Sequence, residues 1–314
     1  MTCRVGVLQG KELLRYSFPS PHPFTGARVS AYWSELRRTR ATYLKLEPQR
    51  AGREVIELFH SSEHIRYVEL ASRFGQGALD GGDTPAFIGV FDAAQFVVGS
   101  TVYAVEKVMS GDVDHAFNPV GGLHHARRDA SAGFCVFNDV GVAVEVLRRK
   151  YSLARILYVD IDVHHGDGVF YSFESDPNLW IFDIHEDGRF QYPGTGSSLE
   201  VGTGAAGGTK VNVPLPPGSG DDQVSGELPR LEDFVEKAKP EFIILQCGAD
   251  GLANDPLGGL TYSERTHGRI TSLLHRLSHD VCRGRIVALG GGGYDVDNCS
   301  RAWMTVTRCL LGEA

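Results

Sequence analysis

Short apolar segments alternate with helical stretches along most of the chain, and this alternation constrains the fold more than any other feature. Apolar runs of strand length occupy residues 4–8, 155–162, 179–184, 241–246 and 285–289. Helical periodicity covers residues 27–39, 62–72, 87–109, 138–150, 222–239 and 262–281. Parallel strands read as continuous apolar runs because helices bury both faces of their sheet. The sequence therefore predicts an α/β fold with three αβα layers and a mostly parallel sheet.

Composition narrows the class of protein further. No repeat, charge block or low-complexity linker interrupts the sequence, so residues 1–314 are predicted to form a single domain. The net charge of −8 argues against direct nucleic-acid binding, which requires a basic surface. The six cysteines are scattered without a Cys-x-x-Cys pair, which argues against a disulfide framework and against a thiolate zinc site. No signal segment or apolar run of about 18 residues is present, so we expect a cytoplasmic protein without membrane association.

A dense group of ionisable residues follows the predicted strand 155–162. Asp160, Asp162 and His164 are spaced by two, so they project from one face if the backbone is extended. A carboxylate and an imidazole in this arrangement can bind one divalent metal, and Asp250 follows another predicted strand with a further carboxylate. Taken alone, Asp250 is equally well explained as a helix cap or turn residue. Five ionisable groups within residues 160–167 favour a catalytic metal site with a position open to water.

Two adjacent histidines, His124 and His125, follow a pair of glycines. Each ring nitrogen needs a hydrogen-bond partner when it is buried, and Asp160 and Asp167 would supply two separate His–Asp pairs. A histidine that a carboxylate holds in place is a good general base.

Residues 290–293 are four consecutive glycines, and Tyr294 follows them. Glycines allow the backbone to approach a site closely, and the tyrosine hydroxyl can donate to a developing oxyanion. A phosphate-binding loop would need a Lys-Ser/Thr ending, which is absent here. A flexible turn remains the alternative for this segment taken alone.

Together these segments resemble the histone deacetylase superfamily, which includes bacterial acetoin-utilization proteins and acetylpolyamine amidohydrolases. The similar segments occur in the family's order at residues 121–126, 133–139, 160–168, 192–196, 246–250 and 290–294. The resemblance extends over roughly residues 16–311. It implies an arginase/deacetylase-like fold and a deacetylase-like catalytic domain that hydrolyses an acyl-amide such as acetyl-lysine with zinc.

The resemblance also implies roles for individual residues. The zinc ligands would be Asp162, His164 and Asp250, with Fe²⁺ as the alternative metal. The remaining catalytic groups would be two histidine–aspartate pairs and a tyrosine: His124 with Asp160, His125 with Asp167, and Tyr294. In relatives the equivalent of His125 carries the proton from the attacking water to the leaving amine, and the tyrosine polarises the acyl carbonyl with the metal.

Further positions are similar to the family's substrate and ion sites. The substrate-binding residues would form a rim, a narrow tunnel and its mouth: Asp83, Gly133, Phe134, Tyr192 and Leu257. Arg28 resembles an arginine that lines an internal channel for the released acid. A monovalent cation, usually potassium in relatives, would be bound by side chains or carbonyls of Asp160, Asp162, His164, Asp183 and Ile184. Asp183 departs from the pattern because many relatives have serine there.

Several alternatives remain open from the sequence. The substrate could be an acetylpolyamine or another small acylated amine instead of an acylated lysine. A related enzyme of the arginase fold, which uses two manganese ions and more metal-binding acids and histidines, is a second alternative. A catalytically silent module that binds an acylated ligand is a third alternative.

Overall fold

A computed structural model describes residues 3–39 and 41–313. These residues form a single α/β domain around an eight-stranded sheet. The strands, numbered along the chain, are β1 Val5–Leu8, β2 Leu44–Leu46, β3 His115–Asn118, β4 Ile156–Asp160, β5 Leu179–Glu186, β6 Lys210–Leu215, β7 Phe242–Gln246 and β8 Ile286–Leu289. Their order in the sheet is β2-β1-β3-β8-β7-β4-β5-β6, and every neighbouring pair is parallel.

Helices cover the sheet in two layers, as the sequence predicts. They are α1 Ala27–Arg38, α2 Arg53–Ile56, α3 Ser62–Phe74, α4 Val90–Met109, α5 Asp139–Tyr151, α6 Asp167–Ser172, α7 Asp221–Ala238, α8 Glu264–Cys282 and α9 Val296–Leu311. Helices α1, α9, α8 and α7 pack side by side in one layer, and α3, α4, α5 and α6 pack in the other. Within the described residues, no helix combines the length and apolarity that a membrane crossing requires.

All five predicted strands are confirmed, but strands β2, β3 and β6 and helices α2, α6 and α9 were not predicted. Strand β3 has only four residues and begins with a histidine, and β6 contains a lysine and a proline, so neither reads as a continuous apolar run. The strand predicted for residues 155–162 ends at Asp160, and residues 162–164 form a bend.

The order of the strands determines where polar side chains can gather. Strands β3, β8, β7 and β4 are neighbours although their positions in the chain are far apart. Because all four run in the same direction, the segments that follow them meet at one edge of the sheet. Those segments carry the two histidines, the glycine run, Asp250 and the acidic group after β4.

Candidate metal centre and active site

Asp162, His164 and Asp250 converge at the carboxyl edge of the sheet. Their ligand atoms all lie within 4.8 Å of one another. The Nδ1 atom of His164 is 3.0 Å from Oδ1 of Asp162 and 3.2 Å from Oδ2 of Asp250. All three side chains are buried. The bend at residues 162–164, and not the alternation of a strand, directs Asp162 and His164 toward Asp250.

This group fits a divalent metal ion. Two carboxylates and one imidazole are a donor set typical of catalytic metal sites that keep a position open. The Oδ2 atom of Asp250 is buried and accepts no hydrogen bond, although Nδ1 of His164 lies 3.2 Å away, and burying a carboxylate oxygen in this way is costly unless a metal ion binds there. Burial and the neighbouring Asp162 carboxylate raise the pKa of Asp250 to about 7. A bound cation would offset both the cost of burying the Asp250 charge and its repulsion by Asp162.

Backbone amides and one glutamine fix the two carboxylates in place. Oδ2 of Asp162 accepts from Nε2 of Gln246 at 2.7 Å and from the Gly292 amide at 2.8 Å. Oδ1 of Asp250 accepts from the Val163 amide at 3.0 Å. The glycine run is therefore a close-approach loop, because a Cβ atom at position 292 would collide with Oδ2 of Asp250.

The adjacent histidines form the two His–Asp pairs that the sequence predicts. Nδ1 of His124 lies 2.8 Å from Oδ2 of Asp160, and Nδ1 of His125 lies 2.7 Å from Oδ1 of Asp167. The Nε2 atoms of the two rings are 3.1 Å apart. Arg127 donates to the second oxygen of Asp167 at 3.2 Å. Each imidazole therefore has its orientation set by a buried carboxylate.

The two histidines differ in protonation. Although burial opposes it, the Asp160 and Asp162 carboxylates raise the pKa of His124 to about 10. Burial and the cationic His124 beside it lower the pKa of His125 to about 4. A neutral His125 that donates from Nδ1 to Asp167 keeps Nε2 unprotonated at neutral pH, as a general base requires.

The start of helix α5 positions both histidines, through two residues, Asn138 and Asp139, to which no role was assigned from the sequence. The Asp139 carboxylate accepts from the amides of Gly122 and Leu123, and Asn138 donates to the carbonyls of His124 and Ala126. These two residues are part of the similar segment 133–139, and this membership was the only sequence signal for them.

A cavity of about 210 Å³ leads from the surface to the metal group. Its lining includes every predicted substrate-binding residue, three residues of the predicted catalytic and metal group, and Gln191, which the sequence analysis missed: Asp83, His125, Gly133, Phe134, His164, Gln191, Tyr192, Leu257 and Tyr294. A Cβ atom at position 133 would lie 2.6 Å from the His125 ring and 3.0 Å from the Tyr192 ring. Glycine is therefore needed where the tunnel is narrow.

The rim of the cavity is tied to its wall. The Asp80 carboxylate accepts from the amides of Gly82, Asp83 and Thr84 and from the Thr84 hydroxyl. The Phe134 amide in turn donates to that hydroxyl at 2.9 Å. Asp80 could not be predicted from the sequence, because three of its four partners are loop amides.

Tyr294 reaches the cavity from the end of the glycine run. Its amide and that of Asp295 donate to Oδ2 of Asp255, at 2.7 and 3.1 Å. The Leu257 amide donates to Oδ1 of the same carboxylate, so Asp255 holds the tyrosine and the mouth of the tunnel together. Burial and the Asp250 carboxylate raise the pKa of Tyr294 well above its usual value, which keeps the phenol protonated.

Arg28 is buried, and its guanidinium is only partly satisfied. Nη1 donates to the Gly293 carbonyl at 3.0 Å, and Cζ lies 3.7 Å from the centre of the Phe24 ring. Nε and Nη2 are buried without hydrogen bonds, and no carboxylate of the described residues forms an ion pair with this side chain. A second cavity, of about 10 Å³, lies against the metal group and is lined by Phe24 and Tyr294 but not by Arg28.

The residues predicted to bind a monovalent cation lie on neighbouring strands. Asp160 of β4 and Asp183 of β5 are partners in the sheet register, and Ile184 follows. One oxygen of Asp183 lies 2.7 Å from Nδ1 of the buried His185, and the other accepts from the Gly166 amide at 2.9 Å. Burial raises the pKa of Asp183, but His185 outweighs it and lowers the pKa below its usual value. This histidine partner of Asp183 was not predicted from the sequence.

Comparison with known proteins agrees with the fold. A model of the histone deacetylase domain matches residues 22–310. The acetoin utilization protein AcuC of Bacillus subtilis (strain 168) is 38% identical over 302 residues, which cover 93% of this chain and 78% of that protein. Histone deacetylase clr6 of Schizosaccharomyces pombe is 31% identical over 322 residues, which cover 99% and 77%. The crystal structure of the HDA15 HD domain superposes with a TM-score of 0.89 at 27% identity, covering 100% of this chain and 91% of that one.

The chain belongs to the histone deacetylase family. Members of this family are deacetylase hydrolases, and the Asp162, His164 and Asp250 group fits the catalytic metal that they use. The family membership predicted from the sequence is therefore confirmed.

Replacing Gly292 tests the close approach of the glycine run to the metal group. In Gly292→Ala the new methyl group collides with Oδ2 of Asp250 and lies 2.9 Å from Oδ2 of Asp162. We expect this variant to lose one equivalent of divalent metal per chain by elemental analysis. Gly226→Ala in α7 is the matched control, because its Cβ would meet nothing within 4 Å, and it should keep the full metal content. Equal metal content in the two variants would contradict this description of the site.

Proposed function

We propose that this protein is a zinc-dependent deacetylase that hydrolyses an acyl-amide such as acetyl-lysine. The observation that carries the proposal is the cavity of about 210 Å³, whose walls include His125, His164 and Tyr294. A base, a metal-binding imidazole and a phenol donor facing one narrow space form the set that amide hydrolysis requires.

The metal would be held by Asp162, His164 and Asp250. A divalent cation in this position polarises the acyl carbonyl and makes water a better nucleophile near neutral pH. Zinc is the favoured ion because two carboxylates and an imidazole leave it an open coordination position, and Fe²⁺ is the alternative.

His125 would transfer the proton. Its low pKa leaves Nε2 able to accept a proton from the attacking water, while Asp167 holds Nδ1 at 2.7 Å and stabilises the imidazolium that forms. The same nitrogen then delivers the proton to the leaving amine. Since the nitrogen would otherwise have to leave as an amide anion, and with the proton it leaves as a free amine, this second transfer is as necessary as the first.

His124 would act through its charge. Its Nδ1 is held by Asp160, and its Nε2 lies 3.1 Å from Nε2 of His125. A cationic His124 therefore keeps its neighbour neutral before the reaction and adds positive charge to a site where negative charge develops on the substrate.

Tyr294 would donate to the oxyanion. Its phenol stays protonated because burial and Asp250 raise its pKa, and its backbone is fixed by Asp255. A donor that is already in place loses little energy to reorientation when the carbonyl oxygen becomes negative.

The tunnel would hold the aliphatic part of the substrate. Phe134 and Tyr192 line it, Gly133 keeps it open, and Leu257 lies at its mouth. Asp83 on the rim offers a carboxylate to a backbone amide or to a cationic substrate. An acetylpolyamine would fit the same tunnel, and the substrate panel described below distinguishes the two classes.

Arg28 would bind the released carboxylic acid. Its buried guanidinium has two unpartnered nitrogens and no acidic partner in the described part of the chain, so a small carboxylate would satisfy it. We expect Arg28→Leu to weaken product inhibition by acetate about tenfold in steady-state assays. An unchanged inhibition constant would remove Arg28 from this role.

A potassium ion would be bound near Asp160 and Asp183, with carbonyls of Asp162, His164 and Ile184. Since His185 already compensates the charge of Asp183, we expect the ion to stabilise the protein only modestly. Melting temperatures in potassium chloride and in N-methylglucamine chloride at equal ionic strength test this. A rise of a few degrees in potassium is the expected result, and identical temperatures would count against the site.

Replacing Tyr294 tests the oxyanion role. Loss of one such donor typically costs about 3 kcal/mol in the transition state, so Tyr294→Phe should lower kcat about 100-fold while the metal content stays unchanged. The measurement is hydrolysis of an acetyl-lysine peptide, with elemental analysis of the same preparation. Unchanged turnover would contradict the assignment.

A substrate panel tests the function as a whole. Acetyl-, propionyl- and longer acyl-lysine peptides are compared with acetylpolyamines, each with and without a chelator. We expect hydrolysis that stops with the chelator and returns with zinc, and faster turnover of the lysine peptides. Faster turnover of acetylpolyamines would transfer the proposal to that substrate class. No metal-dependent hydrolysis of any substrate would support the silent binding module instead.

A further inference from the structure

A second group of metal-ligand side chains lies at the opposite edge of the sheet from the candidate active site. Cys3 lies two residues before the start of β1, and His115 is the first residue of β3. His275 and His279 lie one turn apart on α8, which places them on the same face of that helix. The amino ends of parallel strands are remote from the carboxyl edge where Asp162 and Asp250 lie. This Cys3/His115/His275/His279 group is called the CysHis3 cluster below.

The ligand atoms of the CysHis3 cluster face one another. All four lie within 4.8 Å of each other. Sγ of Cys3 is 3.4 Å from Nε2 of His275 and 3.5 Å from Nε2 of His279, and these two nitrogens are 3.4 Å apart. The three imidazole rings are steeply inclined to one another, at 66° to 82°, so they do not stack.

These separations are those of a tetrahedral metal site. Zinc binds cysteine sulfur at about 2.3 Å and histidine nitrogen at about 2.0–2.1 Å, which places ligand atoms about 3.3–3.6 Å apart at the corners of a tetrahedron. The three separations between Cys3, His275 and His279 all lie in this range. A thiolate and three imidazoles also form a donor set that favours zinc over magnesium or calcium, which prefer oxygen ligands.

His115 supplies an independent indication of a ligand. Its side chain is fully buried, at 0% exposure, and neither ring nitrogen makes a hydrogen bond. A neutral imidazole always carries one N–H donor and one acceptor, so a ring without partners is unusual in a protein interior. A metal ion bound by one of these nitrogens would explain why the ring is retained there.

The groups around the cluster leave two of its histidines in the neutral form that binds a metal ion. The cluster contains no carboxylate, and the adjacent Asp114 is paired with Arg4 at 2.8 Å. Burial, followed by His275 and His279, lowers the pKa of His115 to about 3, and burial and His279 also lower the pKa of His275. Both rings are therefore neutral at physiological pH, which is the form that binds metals.

We propose that Cys3, His115, His275 and His279 bind a second divalent transition-metal ion of the Zn²⁺ class, separate from the candidate active site. The bound ion would fasten the start of β1 to β3 and α8, and it would have a structural role because four protein ligands leave no open position. From the sequence, the absence of a Cys-x-x-Cys pair argues against a thiolate zinc site. The fold nevertheless brings one cysteine together with three histidines that are distant in the chain.

Cobalt titration of the metal-free, untagged full chain tests the proposal directly. A thiolate bound to Co²⁺ gives an intense sulfur-to-cobalt absorption band in the near ultraviolet, and the Asp162, His164 and Asp250 group contains no thiolate. We expect the wild-type chain to develop this band with one equivalent of Co²⁺ at the CysHis3 cluster. Cys3→Ser should abolish the band, while Cys282→Ser, a matched control on α8 outside the cluster, should retain it.

Metal content and stability give a second, independent measurement. The zinc-loaded wild type should contain two equivalents per chain, and His275→Gln should contain one. His275 is only partly buried, so its replacement should leave the fold intact. Zinc should raise the melting temperature of the wild type more than that of His275→Gln.

Asp250→Asn separates this proposal from the proposed function. It should lose activity and one equivalent of zinc but keep the cobalt–thiolate band. Absence of the band in the wild type, its persistence in Cys3→Ser, or equal zinc content in the wild type and His275→Gln would each overturn the second site. None of these results would affect the assignment of the candidate active site.

Discussion

The candidate active site depends on the convergence of two buried carboxylates, Asp162 and Asp250, on one imidazole. Like charges in a low-dielectric interior repel strongly, and Oδ2 of Asp250 is buried without a hydrogen bond to offset this repulsion. A divalent cation turns the repulsion into attraction, and it accounts for the collection of acids after two neighbouring strands. The proposed roles of the two histidine–aspartate pairs and of Tyr294 all depend on a cation bound at this position.

The loops around this group are held mainly by carboxylate side chains that accept hydrogen bonds from backbone amides. Asp139 holds the loop that carries both histidines, and Asp255 holds Tyr294 together with the tunnel mouth. Gly292 donates to Asp162 from a position where any side chain would collide with Asp250. Such prearranged dipoles suit a site in which charge develops during the reaction, since they need no reorganisation.

The fold class was predictable from local patterns of apolar residues, and the metal group from polar residues that follow the apolar strands together with the resemblance to the histone deacetylase superfamily. Strands such as β4 are continuous apolar runs, whereas β3 and β6 are short or contain polar residues and proline, so they were missed. The convergence of Asp162 and His164 was predicted from strand alternation, although a bend achieves it. Asp139, Asp255 and the CysHis3 cluster could not be predicted, because their partners are brought together only by the fold, over as many as 276 positions for Cys3 and His279.

Anomalous X-ray scattering from crystals of the zinc-loaded protein tests the central claim most directly. Data collected on either side of the zinc edge locate bound zinc without assumptions about activity. We expect a peak about 2.0–2.2 Å from a carboxylate oxygen of Asp162, a ring nitrogen of His164 and a carboxylate oxygen of Asp250. Density without a peak between these three side chains, with each bound in a separate hydrogen-bond network, would contradict the account.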